Sequence, residues 1–542
     1  MLSYRKLAMR VLGRPLHTEG IDSPRPASQR AAAFILTAAM LTTLAAPAFA
    51  DIWHIENGDI TISAGESGNN VTQNNNTTYG DTNTIITNQN KDTASSHTVT
   101  IEAKDKDDKV EVTLKDVNID TSSRNKAAVS VTGEGDTNIK LDGDNALKSD
   151  IYRSGIYGSG SGSLTISGGE NDSLTAQGGS GANGISSSGS LTISGGTVTA
   201  NGDDGGRGIS SSGSVTISGG STVTANGGSG TISGGDGIWS GGGVTISGGS
   251  TVTANGGNGG SLVGGDGIRS GGGLTVSDGT VTAKGGNGDS KDGYGGDGIR
   301  SGGVVTISGN TVNAAGGYGG KVGGYGICSF DRVAISGGTV EAAGGNGSTG
   351  GGSGIYSSVI DLSGSLELTA KAGSPTGKAL LQNGRELDLD TIKDKLGPGA
   401  KVTATDANGD SKQVSIPRPV EPEEPVIPEE SSSSSDGGSA TPSAPVSPLP
   451  GLTVTDKSGA VISYTSTQSG NTLTVCVGRF TASFRISLAA LRQLRAEGIE
   501  TIAFQTILCS TTLSVDELLA MGGEDAEAVL THRLTDSSLT VG

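Results

Sequence analysis

The sequence predicts an all-β protein, a right-handed parallel β-helix of about 28 residues per coil followed by a small α+β module. Three observations favour this fold: the composition, an internal repeat, and the alternation of residues within each repeat. Glycine accounts for 94 of 542 residues, and hydrophobic residues for only 32%. A compact core of this length needs more large apolar side chains, and the glycines do not recur at every third position as they do in collagen.

The internal repeat runs from about residue 155 to residue 370. Each unit holds three short strand-like segments, as in GISSSGSLTISGGTVTANG at Gly184–Gly202. Apolar residues alternate with small polar ones, so Leu191 and Ile193 point to one side and Thr192 to the other. Glycine at the corners permits positive φ and tight bends. Each unit opens on a Gly-Ile step, which recurs every 24 to 31 residues at Ile156, Ile185, Ile209, Ile238, Ile268, Ile299, Ile327 and Ile355.

A column of serines supports stacked coils over a flexible Gly/Ser linker. A serine stands two residues after each repeated isoleucine from Ile185 onward, on the same predicted face. These serines therefore point inward, where they can hydrogen-bond along the stack. A flexible linker would not keep such a column in phase. The serines are Ser187, Ser211, Ser240, Ser270, Ser301, Ser329 and Ser357.

The N-terminus predicts export. Basic residues precede the apolar run Ala31–Leu44, and APAFA then places small residues before a cleavage point ahead of Asp51. We therefore expect residues 1–50 to be a signal peptide and the mature protein to be secreted or displayed at the cell surface. A membrane anchor is the alternative, but the apolar run is short for a span and no second one follows. The net charge of −18 disfavours nucleic acid as a partner.

Composition divides the rest of the chain into four parts. Residues 51–154 are irregular β-helix coils with a cap, and residues 155–416 are the regular coils with the closing ones. Residues 417–450 form a Pro/Glu/Ser-rich linker. Residues 451–542 form the α+β module, with predicted helices at Leu488–Ala496 and Val515–Ala520. Of the three cysteines, Cys476 and Cys509 share this module, and either a disulfide between them or two buried thiols agrees with the sequence.

Two columns of residues define a candidate ligand stripe. The residue after each repeated isoleucine faces outward, and a corner residue two positions before each isoleucine is taken to be exposed as well. Aromatic rings stack on sugars, and Arg/Asp forks bind sugar hydroxyls or uronate carboxylates. The alternative is a solvated face with Asp–Arg pairs between adjacent coils. The candidate ligand-binding residues are Trp239, Arg269, Arg300, Tyr325 and Tyr356, and the candidate calcium ligands are Asp236, Asp266 and Asp297.

Catalysis is disfavoured by the residues that are present. Glycoside hydrolysis needs two carboxylates held at a fixed separation, whereas Asp203 and Asp204 are adjacent and would face opposite sides of a strand. The chain has four histidines, and none lies in the repeat. A lyase would need a calcium cluster with a basic residue nearby, a role that Arg269 or Arg300 could take. We therefore expect a protein that is not an enzyme.

The repeat resembles the carbohydrate-binding β-helix surface proteins of clostridial and related gut bacteria. The LTISGG…TVTANGG-like units from Leu164 to Ala342 carry the resemblance, together with VTLKDVNID at Val112–Asp120. It covers roughly residues 51–400 and implies an extracellular, non-catalytic protein that binds a plant-type or uronate-containing polysaccharide, with calcium as a candidate cofactor. Two alternatives stay open: a spacer or adhesin whose C-terminal module does the binding, and a polysaccharide lyase or hydrolase.

Overall fold

The computed structural model describes residues 51–417 and, with gaps at 457–460, 463, 470, 478, 480, 507–509, 522–525 and 533–536, residues 451–541. The predicted signal peptide and all but the first residue of the predicted linker lie outside the described residues. The chain divides into two compact units, Met1–Pro422 and Glu423–Gly542. No helix of the described residues is long and apolar enough to span a membrane.

The first unit is a β-solenoid of about 14 turns with roughly 28 residues per coil, which confirms the predicted all-β parallel β-helix. Three strands per coil stack into three parallel columns. Each repeated isoleucine begins a strand of the first column. One repeat of the sequence therefore corresponds to one coil of the solenoid. The first column contains Ile60–Gly65, Val99–Ala103, Val129–Gly133, Ile156–Gly158, Ile185–Ser187, Ile209–Ser211, Ile238–Ser240, Ile268–Ser270, Ile299–Ser301, Ile327–Ile335, Ile355–Leu362 and Leu380–Gln382.

The second and third columns follow the LTIS-like and VTA-like segments of the repeat. Ile327–Ile335 and Ile355–Leu362 run on from the first column into the second. The second column otherwise contains Ile52–His54, Thr84–Thr87, Lys109–Lys115, Asp136–Asp142, Leu164–Ser167, Leu191–Ser194, Val215–Ser218, Val244–Ile246, Leu274–Val276 and Val305–Ile307. The third contains Asn118–Asp120, Asp144–Lys148, Ser173–Ser180, Thr197–Asp203, Thr222–Asn226, Ser250–Asn255, Gly279–Lys284, Thr311–Ala315, Gly338–Ala343, Leu366–Lys371 and Lys401–Thr405.

Antiparallel strands cover both ends of the stack. Gly68–Gln73 pairs with the first strand of the first column, and Asn76–Asp81 pairs with Gly68–Gln73 in turn. At the other end, Arg385–Glu386 and Ser411–Ser415 fold back on the last strands of the first and third columns. Such strands occupy edges that would otherwise pair with another chain. Two short 3₁₀ helices, Ile55–Asn57 and Leu389–Lys395, complete the unit.

A continuous aliphatic core runs along the solenoid. Leu191, Ile193, Val198 and Ala200 are fully buried, and like residues stack on like residues in the adjacent coils. The predicted alternation is therefore confirmed in all three columns. Because one coil buries few side chains, its stability depends on the neighbours that cover it.

The predicted serine column is also confirmed. All seven serines are at most 5% exposed. Ser270 Oγ donates to the carbonyl oxygen of Gly242 in the preceding coil (3.0 Å) and to that of Gly273 in its own coil (2.9 Å). Six of the seven serines bond to the preceding coil in this way, whereas the Ser187 hydroxyl group bonds to Gly189 O in its own coil.

We expect Ser270→Ala to destabilise the solenoid by about 1 kcal/mol, because the hydroxyl hydrogen bonds are lost while the two carbonyl groups stay buried. Thermal unfolding followed by circular dichroism measures the change. Ser277→Ala is the matched control, since Ser277 is exposed in the same coil. Equal midpoints for the two variants would show that the serine column contributes nothing to stability.

Glycine-rich segments, here called the glycine arms, link the third strand of one coil to the first strand of the next. They comprise residues 227–237, 256–267, 285–298, 316–326 and 344–354. Their backbones hydrogen-bond to one another in series: Gly265 N–H donates to Gly257 O, and Gly257 N–H donates to Gly235 O, both at 2.8 Å. The arms thus pack against one another through their backbone atoms.

The sequence analysis predicts that the glycines are needed for positive φ. This prediction is right at one corner of the coil and wrong in the arms. Between the second and third strands, Gly219, Gly220, Gly248 and Gly249 have φ between +62° and +72°, as a tight bend requires. The arm glycines lack positive φ. A Cβ atom added to Gly265 would lie 1.9 Å from the carbonyl oxygen of Gly235 in the preceding arm. Glycine is therefore required in the arms because the backbones of neighbouring arms approach each other closely. The conformational propensities of the residues do not reveal this contact.

The second unit holds two four-stranded sheets and two helices. The helices are Leu488–Ala496 and Val515–Met521, in agreement with the predicted α+β module, and Ser487 Oγ caps the first by accepting from Ala490 N–H. Cys476 is a free cysteine and is half-buried, and Cys509 lies outside the described residues. The sheets contain Leu452–Thr455, Ala482–Ser487, Glu527–His532 and Ser537–Val541, and Thr465–Ser469, Thr472–Cys476, Thr501–Gln505 and Ser510–Ser514.

Candidate functional site

The predicted outward column lies in register along the first column of strands. Trp239 pairs with Arg269, Arg269 with Arg300, and Cys328 with both Arg300 and Tyr356. Neighbouring members are therefore separated by the strand spacing of about 4.8 Å. Cys328 departs from the prediction because it is only 2% exposed, and burial raises the pKa of its thiol to about 12.

The corner column was predicted to be exposed, and this prediction is wrong. Asp236, Asp266 and Asp297 are 7%, 5% and 4% exposed. Each side chain turns along the stack and accepts a hydrogen bond from the backbone N–H of the next coil. Asp236 Oδ1 accepts from Asp266 (2.9 Å), Asp266 Oδ1 from Asp297 (2.7 Å), and Asp297 Oδ1 from Tyr325 (2.7 Å). These side chains point along the stack because the backbone N–H groups need hydrogen-bond acceptors. Strand alternation does not set their direction.

Three arginines lie beside the aspartates in different states of pairing. Arg207 Nε lies 3.2 Å from Asp236 Oδ2, and Arg300 Nη1 lies 3.4 Å from Asp297 Oδ2. The alternative of Asp–Arg pairs between adjacent coils therefore holds for the first pair, whereas the second lies within one coil. Arg269 is exposed, and among the described residues no hydrogen bond or ion pair reaches its guanidinium.

These charged residues border a groove of about 540 Å³. Its position follows from the coil lengths: the coil from Ile185 to Ile209 spans 24 residues, whereas the next spans 29 and carries a longer glycine arm. The short coil leaves a recess beside the longer arms. The groove is lined by Gly181, Asn183, Gly205–Arg207, Ser233–Asp236, Val263–Asp266, Arg269 and Arg300.

Burial dominates the electrostatics of the aspartates. It raises the pKa of Asp297 to about 6, although the Tyr325 N–H and the Arg300 guanidinium act in the opposite direction. Burial, followed by the charges of Asp297 and Asp236, raises the pKa of Asp266 well above its usual range. Perturbed carboxyl groups beside a groove are typical of functional sites, although ion-pair networks perturb pKa values too.

The aromatic residues of the predicted stripe contact other protein groups. The Arg207 guanidinium carbon lies 4.4 Å from the centroid of the half-buried Trp239 ring. Tyr325 and Tyr356 stack on each other, with centroids 5.1 Å apart and planes 15° apart. None of the three lines the groove. The stripe thus separates into a charged groove, with Trp239 behind Arg207, and a tyrosine pair further along the solenoid.

Sequence reasoning missed two members of this surface. Arg207, the corner residue two positions before Ile209, connects Asp236 with Trp239. Phe330, which is 54% exposed, lies with its ring centroid 5.2 Å from the Arg300 guanidinium carbon. The 24-residue interval was visible in the sequence, and it was the signal that could have located the groove.

The aspartate column does not fit a calcium ion. Calcium takes six to eight oxygen ligands, whereas each Oδ1 of the column accepts a backbone N–H and two of the Oδ2 atoms face arginines. Within residues 51–417 and the described parts of 451–541, no group of three or more His, Cys, Asp or Glu side chains is placed to hold a metal ion. Among the carboxylate oxygens of these three aspartates, only the Oδ2 atom of Asp266 has no protein partner.

The fold and this surface define a class: a β-solenoid protein with a polar, charged groove on its side. No protein-family model, curated protein or solved structure matches the chain. The resemblance to carbohydrate-binding β-helix proteins therefore stays a resemblance.

Proposed function

We propose that the protein is an exported, non-catalytic polysaccharide-binding protein that holds its ligand in the groove beside Arg207, Arg269 and Arg300. The observation that carries the proposal is the set of guanidinium and carboxyl groups that consecutive coils present to one groove. Its volume lies within the range of ligand sites. The signal-like N-terminus supports action outside the cell.

The repeat suits a polymeric ligand. Arg269 and Arg300 stand on neighbouring coils, so the groove offers similar donors at the strand spacing of about 4.8 Å. Guanidinium groups donate to several sugar oxygens at once, while the free Asp266 oxygen accepts from a hydroxyl group. Trp239 supports this arrangement by packing against Arg207.

Binding is favoured over hydrolysis by the state of the carboxyl groups. Hydrolysis uses two carboxyl groups that face the scissile bond. Asp236 is engaged by Arg207, and Asp297 is not among the groove-lining residues. Among the described aspartates that line the groove, only Asp266 has a carboxylate oxygen without a protein partner, and a single carboxyl group cannot supply the pair that hydrolysis uses.

A glycan array probed with the purified protein, with and without calcium, tests the proposal. We expect binding to a polysaccharide that survives chelation and releases no oligosaccharide. In the double variant Trp239→Ala/Arg269→Ala, affinity should fall about tenfold or more, because a charged hydrogen-bonding group and the support of Arg207 are lost.

Tyr79→Ala/Arg332→Ala is the matched control, since both residues are exposed and neither lines the groove. The control should bind like the unmodified protein, and circular dichroism should show equal folding. If the groove variant keeps full affinity while folded, the ligand does not bind there. Release of reducing or unsaturated oligosaccharides would show an enzyme instead.

A further inference from the structure

The outward face of the third column carries two parallel rows of threonines. They belong to the Thr-Val-Thr segments of four consecutive coils, which pair in register without a bulge. Neighbouring threonines lie about 4.8 Å apart along a row and about 6.6 Å apart along a strand. The rows, here called the threonine grid, are Thr197, Thr222, Thr251 and Thr280, and Thr199, Thr224, Thr253 and Thr282.

Strand propensity alone does not account for the threonine grid. Threonine forms strands well on an exposed face, yet other coils of the same column carry Asp144, Asn313 and Glu341 at equivalent positions. The column therefore accepts charged and amide side chains where the grid has only threonine. In a chain with a net charge of −18, the grid is a continuous uncharged surface.

The hydroxyl groups of the grid are fixed in position and are not used by the protein. One row is exposed and the other is half-buried, and within residues 51–417 no protein group hydrogen-bonds to these hydroxyls. Branching at Cβ restricts the rotamers of each threonine. A third row beside the grid is fixed as well, because Asn226 Nδ2 donates to Asn201 Oδ1 and Asn255 Nδ2 donates to Asn226 Oδ1, both at 2.8 Å.

The chemistry of the grid favours water as its partner. It offers hydroxyl and methyl groups, and it lacks the aromatic rings and guanidinium groups that anchor proteins and sugars. Hydroxyl groups at fixed spacing bind water molecules that repeat with the same spacing. Holding such molecules in place costs entropy when they come from the liquid. In ice this cost is absent, because the molecules are already fixed in a lattice.

We infer that the threonine grid binds ice. The two spacings of the grid are similar to the distances at which water molecules repeat on the faces of an ice crystal. The methyl groups add apolar surface whose removal from liquid water is favourable. This inference does not rest on the proposed function, because the grid lies on the third column, whereas the groove is lined by loop residues and by Arg269 and Arg300 of the first column.

The test measures how much purified protein enters slowly grown ice and how far the protein lowers the freezing point below the melting point. We expect the unmodified protein to concentrate in the ice and to separate the two temperatures. The double variant Thr224→Lys/Thr253→Lys should lose both effects, because two long charged side chains then stand in the middle of the grid. Its matched control is Thr216→Lys/Thr245→Lys, which makes the same change in the same coils on the outward face of the second column. There each threonine is followed by a serine, which lacks the methyl group, so the control should keep both effects.

Circular dichroism checks that the variants fold, and a milder variant covers the case in which the lysines disturb the fold. Thr224→Ser/Thr253→Ser keeps the hydroxyl groups but loses the methyl groups and the restricted rotamers, so it should depress the freezing point less than the unmodified protein does. An equal depression would overturn the inference.

Three further results would overturn it. The first is exclusion of the unmodified protein from ice, and the second is an equal loss in the two lysine variants, since binding would then not belong to the grid. The third is sedimentation of the unmodified protein as a dimer and of Thr224→Lys/Thr253→Lys as a monomer, which would make the grid an interface with a second copy. Glycan binding should be the same in all these variants, so the failure of either proposal leaves the other standing.

Discussion

Gly286→Ala should destabilise the solenoid by at least about 4 kcal/mol, a loss seen for only a small class of single substitutions. The added Cβ atom would lie 2.0 Å from the carbonyl oxygen of Gly257 in the preceding arm. Backbone cannot move aside as a flexible side chain can. Separating the two arms would break the hydrogen bond from Gly286 N–H to Gly265 O in the preceding arm, which is 2.8 Å long.

The control is Gly249→Ala, which tests a glycine of the other kind. Gly249 has φ +72°, but nothing lies within 4 Å of an added Cβ atom. We expect a loss of about 1–2 kcal/mol from the left-handed conformation alone. Thermal unfolding and amide hydrogen exchange measure both variants, and Gly286→Ala should deprotect the arms of its own and the adjacent coils. If the two variants lose equal stability, the arms are not held by close backbone packing.

The repeat was enough to predict the solenoid, because a strand has a period of two and a coil must bring like residues into register. The inward position of Ser240 and the pairing of Trp239 with Arg269 follow from that geometry alone. Both depend on local backbone periodicity, which a single sequence contains in full.

The candidate site was harder to predict, because alternation does not continue through a glycine turn. The predicted exposure of Asp266 is wrong, because its side chain accepts a hydrogen bond from the Asp297 N–H of the next coil and is buried. The groove depends on the difference in length between two adjacent coils. This difference is apparent only when the two coils are compared. Asp236 and Trp239 both belong to the coil that follows Arg207, so only the stacked structure connects Arg207 with them.

Asp266→Asn should stabilise the protein at pH 7.5 and leave its stability nearly unchanged at pH 4. A buried carboxylate without a paired cation costs on the order of a few kcal/mol. The amide keeps the oxygen that accepts from Asp297 N–H and removes the charge. Asp289→Asn is the matched control, because Asp289 is exposed on a glycine arm and its charge is solvated. This control should unfold like the unmodified protein at both pH values.

The sign of this pH dependence follows from the direction of the pKa shift. Burial, with Asp297 and Asp236, raises the pKa of Asp266 above the 3.8 of an unperturbed side chain, so the folded chain keeps a proton that the unfolded chain releases. Stability therefore falls as the pH rises above about 4, and the neighbouring pKa of about 6 for Asp297 extends the fall through mild acid. Asp266→Asn should flatten this decline in midpoint temperatures between pH 4 and pH 7.5. A variant that is less stable than the unmodified protein at pH 7.5 would mean that a neighbouring guanidinium compensates the Asp266 carboxylate in the folded state.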